Sequence, residues 1–170
     1  MLKGLDRVME TFLRRPDWQL EIAGPVVDEP WFRAAYGDGI SQSGTITVHG
    51  TMSPVSFDFA RLTEVCTGFL APSASEGQST SAITCLQAGL FPVLSRQCGI
   101  DLPPGCGIML ETCGVEEIEA AIDGVHRLPE AERRRQVEVT TADARRRFSR
   151  GAFRMTLARC LREATASIGL

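Results

Sequence analysis

The sequence is short of basic residues and of long apolar runs. Its 18 lysines and arginines are outnumbered by 21 acidic residues, for a formal net charge of -3. Binding to backbone phosphates needs a basic surface, so nucleic acid is not expected as a partner. No stretch approaches the roughly 20 apolar residues of a membrane span, and residues 1–10 contain no secretion signal. We therefore predict a cytoplasmic protein.

Metal-binding motifs and common nucleotide-binding motifs are also absent. The six cysteines form no C-x-x-C pair and the two histidines lie far apart, so we predict no metal site and free thiols in a reducing compartment. Cys66, Cys85 and Cys160 are expected on apolar helix faces. No glycine-rich loop ends in Gly-Lys-Ser or Gly-Lys-Thr, and no G-x-G-x-x-G follows a strand, which argues against phosphate-loop hydrolases and dinucleotide dehydrogenases.

What the sequence does contain is an alternation of helix and strand patterns. With 170 residues and 44% hydrophobic content, one domain with one core is expected. Helices are predicted over residues 4–14, 29–36, 79–88 and 115–128 and from residue 54, with strands over 18–22, 46–48, 68–71, 91–94 and 107–110. Such alternation predicts an α/β fold with an open, mostly parallel sheet, followed by helices after Pro129.

One strand-to-helix loop, residues 72–81, is a candidate anion site. In an open parallel sheet, ligands bind beyond the carboxyl ends of the strands, where loops lead to helix N-termini. Gly77 lets a ligand approach the backbone, and Ser79 and Thr80 can cap the helix or offer hydroxyl groups. An ordinary helix cap would explain the same residues. Glu76 favours a site, because a carboxylate beside an anion repels it unless the carboxylate contacts something else, such as a sugar hydroxyl.

Five segments, in order, resemble one enzyme family. They are residues 3–6, 17–24, 48–50, 72–77 and 88–93. Together they resemble the C-terminal, donor-binding domain of the group 1 glycosyltransferases, which have the two-domain GT-B fold, over roughly residues 3–164. The resemblance implies a Rossmann-like three-layer α/β/α domain. It also implies transfer of a sugar from a nucleotide-diphospho-sugar to an acceptor, with retention and without an essential metal or other cofactor.

The resemblance assigns roles to particular residues. Glu76 corresponds to the family's first glutamate, a catalytic candidate placed against the donor sugar, and Lys3 corresponds to a lysine that stabilises the diphosphate. The backbone and side chains of Gly77, Gln78, Ser79 and Thr80 would line the phosphates. Cationic and amide groups at these places suit a reaction in which negative charge develops on the leaving group.

Two departures from the family put donor binding in doubt. The family's second glutamate, a ribose binder, falls on Thr84, and a threonine cannot clamp two ribose hydroxyls as a carboxylate does. The family's first strand is also missing, which leaves its second and fourth strands without their shared central neighbour. We therefore predict that residues 1–170 form one partial domain, inactive alone, with Met1 internal to a longer protein. The alternative is a non-catalytic or degenerate nucleotide- or sugar-phosphate-binding module.

Other residues could form the edge of the ligand site. His49 and Gly50 end one predicted strand, and Gly99 and Asp101 follow another. A structural role is favoured for His49, and a plain turn explains Asp101 equally well.

The last quarter of the chain combines arginines with an apolar stripe. Phe153, Leu157 and Leu161 recur at helical spacing, and the arginines are interleaved with acidic residues. A solvated helix face is favoured for the charges, and acidic lipids at the inner membrane face are a possible partner. The apolar stripe could pack against the missing N-terminal acceptor domain, or it could support self-association.

Overall fold

The structure is a computed structural model that describes residues 3–167, so Met1 lies outside the described residues. Helices and strands alternate along this part of the chain. The helices are α1 (Leu5–Arg14), α2 (Pro30–Ser43), α3 (Phe57–Val65), α4 (Thr80–Ala88), α5 (Val115–Arg127), α6 (Glu130–Arg147) and α7 (Arg150–Ser167). The strands are β1 (Leu20–Ala23), β2 (Ile46–Gly50), β3 (Gly68–Ala71), β4 (Phe91–Ser95) and β5 (Ile108–Leu110). The predicted order of elements is confirmed.

Two helices have boundaries that the sequence pattern did not predict. Helix α2 continues to Ser43 instead of ending at residue 36, and Gly44 in the left-handed conformation, at φ 65°, then terminates it. Helix α3 begins at Phe57 rather than near Pro54. The reason is a side-chain cap, because the Ser56 hydroxyl accepts a hydrogen bond from the Phe59 N–H at 3.1 Å.

The strands form two parallel sheets. Strand β1 pairs with β2, and the other sheet has the order β3-β4-β5. The α/β class with parallel strands is confirmed, but the sheet is divided between β1 and β3. Among the described residues each of these two strands is paired on one edge only. This is the arrangement expected when the central strand of a doubly wound sheet is missing.

Helix α1 and one leucine connect the two sheets. Helix α1 packs against α2 on one side and α5 on the other. Leu70 of β3 contacts the core cluster that contains Phe12 and Ile22, and it also contacts the cluster that contains Phe91 and Ile118. Helix α1 therefore packs on the smaller sheet and on α5, and Leu70 belongs to both parts of the core.

Strand β4 is the centre of the larger sheet. All five of its residues are buried. Phe91 and Val93 pack towards α5, and Leu94 packs towards α4 and α6 through a cluster that includes Leu86 and Ala144. A strand covered on both faces is expected to read as a continuous apolar run, as this one does.

The structure tests where the cysteines lie and whether any helix could span a membrane. All six cysteines are free. Cys85 lies partly buried in α4, but Cys66 follows the end of α3 and Cys160 is exposed on α7. The expected apolar helix position is therefore wrong for those two, because α3 has already ended and α7 leaves its apolar side uncovered. In the described chain, no helix has the length and apolar character needed to cross a bilayer.

Candidate functional site

Glu76 lies in the loop between β3 and α4, at the carboxyl end of the larger sheet. Its Oε1 is 2.7 Å from the Nζ of Lys3, the only lysine in the chain, and it also accepts a hydrogen bond from the Ser73 hydroxyl at 2.7 Å. The Glu76 side chain is 10% exposed, whereas that of Lys3 is 62% exposed. The structure thus brings the two principal predicted site residues into contact.

The carboxyl group of Glu76 is held in its ionised form. Burial raises its pKa, but the hydrogen bonds from Lys3 and Ser73 and the positive charge of Lys3 outweigh burial, so the pKa lies below the usual value. The Ser79 hydroxyl acts in the same direction. Glu76 is therefore a permanent negative charge and a hydrogen-bond acceptor at neutral pH.

Close backbone contact at Gly4 places Lys3 beside this loop. Gly4 precedes α1 and has a positive φ of 72°. A Cβ at this position would lie 2.2 Å from the Pro72 carbonyl oxygen, so only glycine allows the two backbones to approach this closely. The start of α1 is therefore fixed against the loop that carries Glu76.

The loop after β4 packs against the same segment. Gly99 has a φ of 66°, and a Cβ there would lie 2.2 Å from the Gly77 carbonyl oxygen. The Ser79 N–H also donates to the Cys98 carbonyl at 2.9 Å. Gly99, one of the predicted edge residues, is thus in contact with the Glu76–Gly77 segment.

The predicted phosphate-lining residues differ in how far they are exposed to solvent. Gly77, Gln78 and Thr80 are exposed, whereas Ser79 is 1% exposed and its hydroxyl is 3.2 Å from that of Ser81. Ser79 makes no side-chain cap on α4. The first amide groups of α4 consequently face the loop without a side-chain cap, an arrangement suited to an anion.

Thr84 lies on α4, and its hydroxyl has a partner within the helix. Its Oγ1 donates to the Thr80 carbonyl at 2.9 Å, the common way for a threonine to satisfy its hydroxyl inside a helix. No carboxylate stands at this position, so a ribose would not meet the acceptor pair that the family's second glutamate provides.

His49, Gly50 and Asp101 have partners elsewhere. The Nε2 of His49 is 2.6 Å from the Glu21 carboxylate, and the Gly50 carbonyl accepts from the Gly24 N–H at 2.7 Å, both within the smaller sheet. The Asp101 carbonyl accepts from Arg147 at 2.7 Å. In the described structure no hydrogen bond or ion pair joins these three residues to Glu76.

The sequence reasoning overlooked two polar residues that organise the site. Ser95, fully buried at the end of β4, donates through its hydroxyl to the Ser73 carbonyl at 2.6 Å. The Glu117 carboxylate accepts the N–H groups of Glu111, Thr112 and Cys113 at 2.7, 2.8 and 2.7 Å, and so holds the loop after β5. Cys113 has a φ of 57° there, a conformation that non-glycine residues rarely adopt. The Ser73-x-x-Glu76 spacing was an available signal for the hydrogen bond from Ser73 to Glu76, but it gives no sign of Ser95.

The site offers donors for an anion beside an acceptor for a hydroxyl. Lys3 and the amides of α4 provide positive charge, and Glu76 provides the acceptor. Across the part of the chain that the structure describes, no three His, Cys, Asp or Glu side chains come together as a set of metal ligands.

Comparison with known proteins finds glycosyltransferases among the proteins similar to this chain. No protein-family model matches the chain. The chain is 29% identical over 138 residues to the GDP-mannose:cellobiosyl-diphosphopolyprenol alpha-mannosyltransferase of Xanthomonas campestris, with 75% of this chain and 33% of that protein covered.

Solved glycosyltransferase structures share the fold. HepE of Anabaena, solved in complex with UDP and glucose, superposes with a TM-score of 0.78 at 15% identity, covering 95% of this chain and 45% of HepE. The alpha,alpha-trehalose 6-phosphate synthase of Burkholderia multivorans superposes with a TM-score of 0.76 at 18% identity, covering 98% of this chain and 41% of the synthase. WaaG, a glycosyltransferase involved in lipopolysaccharide biosynthesis, superposes with a TM-score of 0.63 at 18% identity, covering 84% of this chain and 39% of WaaG.

The structural similarities define the fold of the chain. The chain has the Rossmann-like domain fold of the GT-B glycosyltransferases, and its resemblance to the group 1 family is confirmed. It spans about a third of the length of the curated relative and less than half of each of these solved structures.

Proposed function

We propose that this chain is the nucleotide-sugar-binding domain of a retaining glycosyltransferase of hexosyltransferase type. The observation that carries the proposal is the contact between Lys3 and Glu76 beside the uncapped N-terminus of α4. One group of each charge is needed at a donor site, because the diphosphate is anionic and the sugar presents hydroxyls. Both groups stand at the strand ends where open parallel sheets bind ligands.

Each residue has a role in the proposed donor complex. Lys3 and the amides of α4 meet the negative charge that grows on the diphosphate as the sugar leaves, and Glu76 accepts a hydroxyl of the sugar. The exposed Gly77 lets the phosphates approach the backbone. Lys3 pairs with Glu76 in the structure, so the donor must share or replace that contact when it binds.

Two nucleotide sugars are the probes for this site. HepE was solved with UDP-glucose, and the curated relative is named for GDP-mannose, so both compounds should be titrated by calorimetry against the purified chain. Removing a charged partner of a ligand costs roughly 1.5–3 kcal/mol, so Lys3→Ala and Glu76→Ala should each weaken binding at least tenfold. Arg7→Ala is the matched control, since it removes an exposed positive charge from the first turn of α1, four residues after Lys3.

The single lysine allows an independent chemical test. An amine-selective reagent can modify the exposed Lys3 and the chain's α-amino group, because the other basic side chains are arginines and two histidines, none of which is a primary amine. Bound nucleotide sugar should protect Lys3 and leave the α-amino group reactive, as measured by mass spectrometry of the peptides. Equal modification with and without saturating donor would contradict the assignment of Lys3 to the diphosphate.

The alternative of a degenerate, non-catalytic module rests on Thr84, whose hydroxyl is bonded to the Thr80 carbonyl, whereas the similar glycosyltransferases support a transferase domain. We expect Thr84→Glu to tighten nucleotide-sugar binding about tenfold by supplying an acceptor for the ribose, with Thr84→Gln as the uncharged control. Sugar transfer by the longer protein separates the two functions, since a degenerate module would bind the donor without turnover.

The divided sheet supports an origin in a longer protein. We propose that residues 1–170 are a partial domain, and that a preceding segment supplies a parallel strand between β1 and β3 and an N-terminal acceptor domain. An upstream extension in the same reading frame should join the two sheets and raise the midpoint of thermal unfolding. The 170-residue chain alone should show no transferase activity.

Helix α7 is the proposed contact surface for further partners. Phe153, Met155, Leu157 and Leu161 are exposed on it beside Arg154 and Arg159. We propose that this helix packs against the acceptor domain in the whole enzyme and contacts acidic lipids at the cytoplasmic membrane face. Co-sedimentation with phosphatidylserine vesicles tests the lipid contact, and sedimentation velocity tests whether the isolated chain self-associates through the same residues.

A further inference from the structure

Ser73 and Lys3 donate to the same oxygen of Glu76 from very different surroundings. Both distances to Oε1 are 2.7 Å. Ser73 is 2% exposed, whereas the Lys3 side chain is 62% exposed. An exposed ammonium can turn towards an incoming phosphate, but a buried hydroxyl has no other direction to take. The hydrogen bond from Ser73 to Glu76 is therefore the contact that remains when a bound donor draws Lys3 away.

A second buried hydroxyl holds Ser73 in place. Ser95 is 0% exposed and donates to the Ser73 carbonyl at 2.6 Å. Beside it, the Cys98 thiol donates to the Ala71 carbonyl at 3.1 Å. Ser95 at the end of β4 and Cys98 in the turn that follows thus fix the backbone at the end of β3, directly before the turn that carries Glu76. A buried carbonyl left without a donor would cost free energy, so these contacts also stabilise the turn.

Resting on the proposed donor site, we propose that Ser73 is a positioning residue that holds the Glu76 carboxylate in its binding orientation, and that Ser95 fixes Ser73 in turn. The order of contacts runs from Ser95 to the Ser73 carbonyl and from the Ser73 hydroxyl to Glu76. Neither serine needs to touch the donor. Their effect on the donor passes through the direction and the ionisation of one carboxylate.

The ionisation of Glu76 gives a readout that a purely structural serine would not change. Among the groups that face Glu76, Lys3 carries the positive charge, and Ser73 and Ser79 supply hydroxyls. A hydrogen bond to the ionised form lowers the pKa of a carboxyl group. Removing the Ser73 hydroxyl should therefore raise the pKa of Glu76, whereas a serine that only completes the turn would alter stability and leave that pKa unchanged.

The test is a carboxyl-carbon NMR titration of the chain labelled with ¹³C-glutamate, in which Glu76→Gln identifies the Glu76 signal. We expect Glu76 to titrate at higher pH in Ser73→Ala than in the wild type. Ser73→Thr keeps a hydroxyl and should restore the wild-type titration. Ser75→Ala is the matched control, because it removes an exposed hydroxyl one residue before Glu76.

Calorimetry with UDP-glucose and GDP-mannose completes the test. Ser73→Ala removes a hydrogen bond to a charged group, so this variant should bind the donor roughly tenfold more weakly than the wild type. Ser75→Ala should bind it with unchanged affinity. Ser95→Ala should shift the Glu76 titration in the same direction and to a smaller extent.

An unchanged Glu76 titration in folded Ser73→Ala would overturn the proposal. If Ser95→Ala does not fold, Ser73→Ala decides the outcome alone. A wild-type chain that binds neither nucleotide sugar would refute the proposed function, but the Glu76 titration would still decide whether Ser73 holds the carboxylate.

Discussion

At the carboxyl ends of β3 and β4, buried hydroxyls and glycine contacts tie the loops together. Strands β1 and β2, in contrast, are joined beyond their strand pairing by one partly exposed side-chain contact and one backbone hydrogen bond. The first region contains Ser73, Ser95 and the close approach of Gly99 to Gly77. The second contains the pair of His49 with Glu21 and the bond from Gly24 to Gly50. Both regions have parallel strands, so strand direction does not explain the difference.

The difference follows from how each sheet is covered. Strand β4 lies between α5 on one face and α4 and α6 on the other, whereas β2 is buried only at Ile46. When a strand is covered on both faces, the loop that follows it begins at a fixed position. Such a loop can hold its side chains in one geometry. The larger sheet is therefore the more firmly held part of the proposed donor site, and the following substitutions test this difference.

The largest effect is expected in the core of the larger sheet. Leu94 is 0% exposed, so Leu94→Ala should lower the free energy of unfolding by about 3–4 kcal/mol through lost burial and a cavity. Val48→Ala in the partly buried middle of β2 should cost about 1 kcal/mol. Urea denaturation measures both values. Equal losses would show that the two sheets are equally well packed, contrary to the comparison.

The loop contact at Gly99 should come next. Gly99→Ala combines an unfavourable positive φ with a Cβ 2.2 Å from the Gly77 carbonyl oxygen, and should cost about 2–3 kcal/mol. Gly105→Ala is the control, because Gly105 also has a positive φ, of 69°, but has no atom within 4 Å of the added Cβ. It should cost about 1 kcal/mol from backbone conformation alone. The same urea experiment serves, and an equal cost for both variants would rule out tight packing of the loops.

The carboxylate of Glu76 should make stability depend on acid pH. Its pKa is lowered in the folded state, so its contribution is present above the ordinary glutamate value of about 4.3 and is lost as the pH falls through the folded value. Between about pH 6 and pH 3, the wild type should therefore lose more stability than Glu76→Gln. Lys3→Ala should reduce the difference. Thermal unfolding across this range measures the effect, and parallel curves for wild type and Glu76→Gln would argue against it.

The smallest effect belongs to the other sheet. The His49–Glu21 pair is partly exposed, so His49→Ala should cost only about 0.5 kcal/mol. A double-mutant cycle with Glu21→Ala isolates the pair. A coupling of about 2 kcal/mol or more, well beyond the range of exposed pairs, would make the smaller sheet as firmly tied as the larger one.

Much of the architecture could be predicted from local patterns. The apolar spacing in α1 and the continuous apolar run of β4 identified those elements, because each depends on residues close together in the chain. The end of α2 was missed, since its glycines weaken the helical pattern while Gly44, further on, ends the helix.

The candidate site was only partly predictable. The loop around Glu76 follows from its place between a strand and a helix, and Lys3 came from the resemblance to the glycosyltransferase family. Ser95 could not be found this way, because nothing near it in the sequence marks its hydroxyl as the partner of Ser73. Glu117 was missed for the same reason, as its role depends on the path of the loop after β5.

The sequence by itself determined the order of elements, the parallel α/β class and the loop in which a ligand is expected, because periodicity and turn residues act over a few neighbouring positions. Only the tertiary structure decided that Lys3 contacts Glu76 directly and that Ser95 supports Ser73. Those contacts join residues far apart in the chain, so they depend on strand register, on helix packing and on the glycine contacts that let the loops approach.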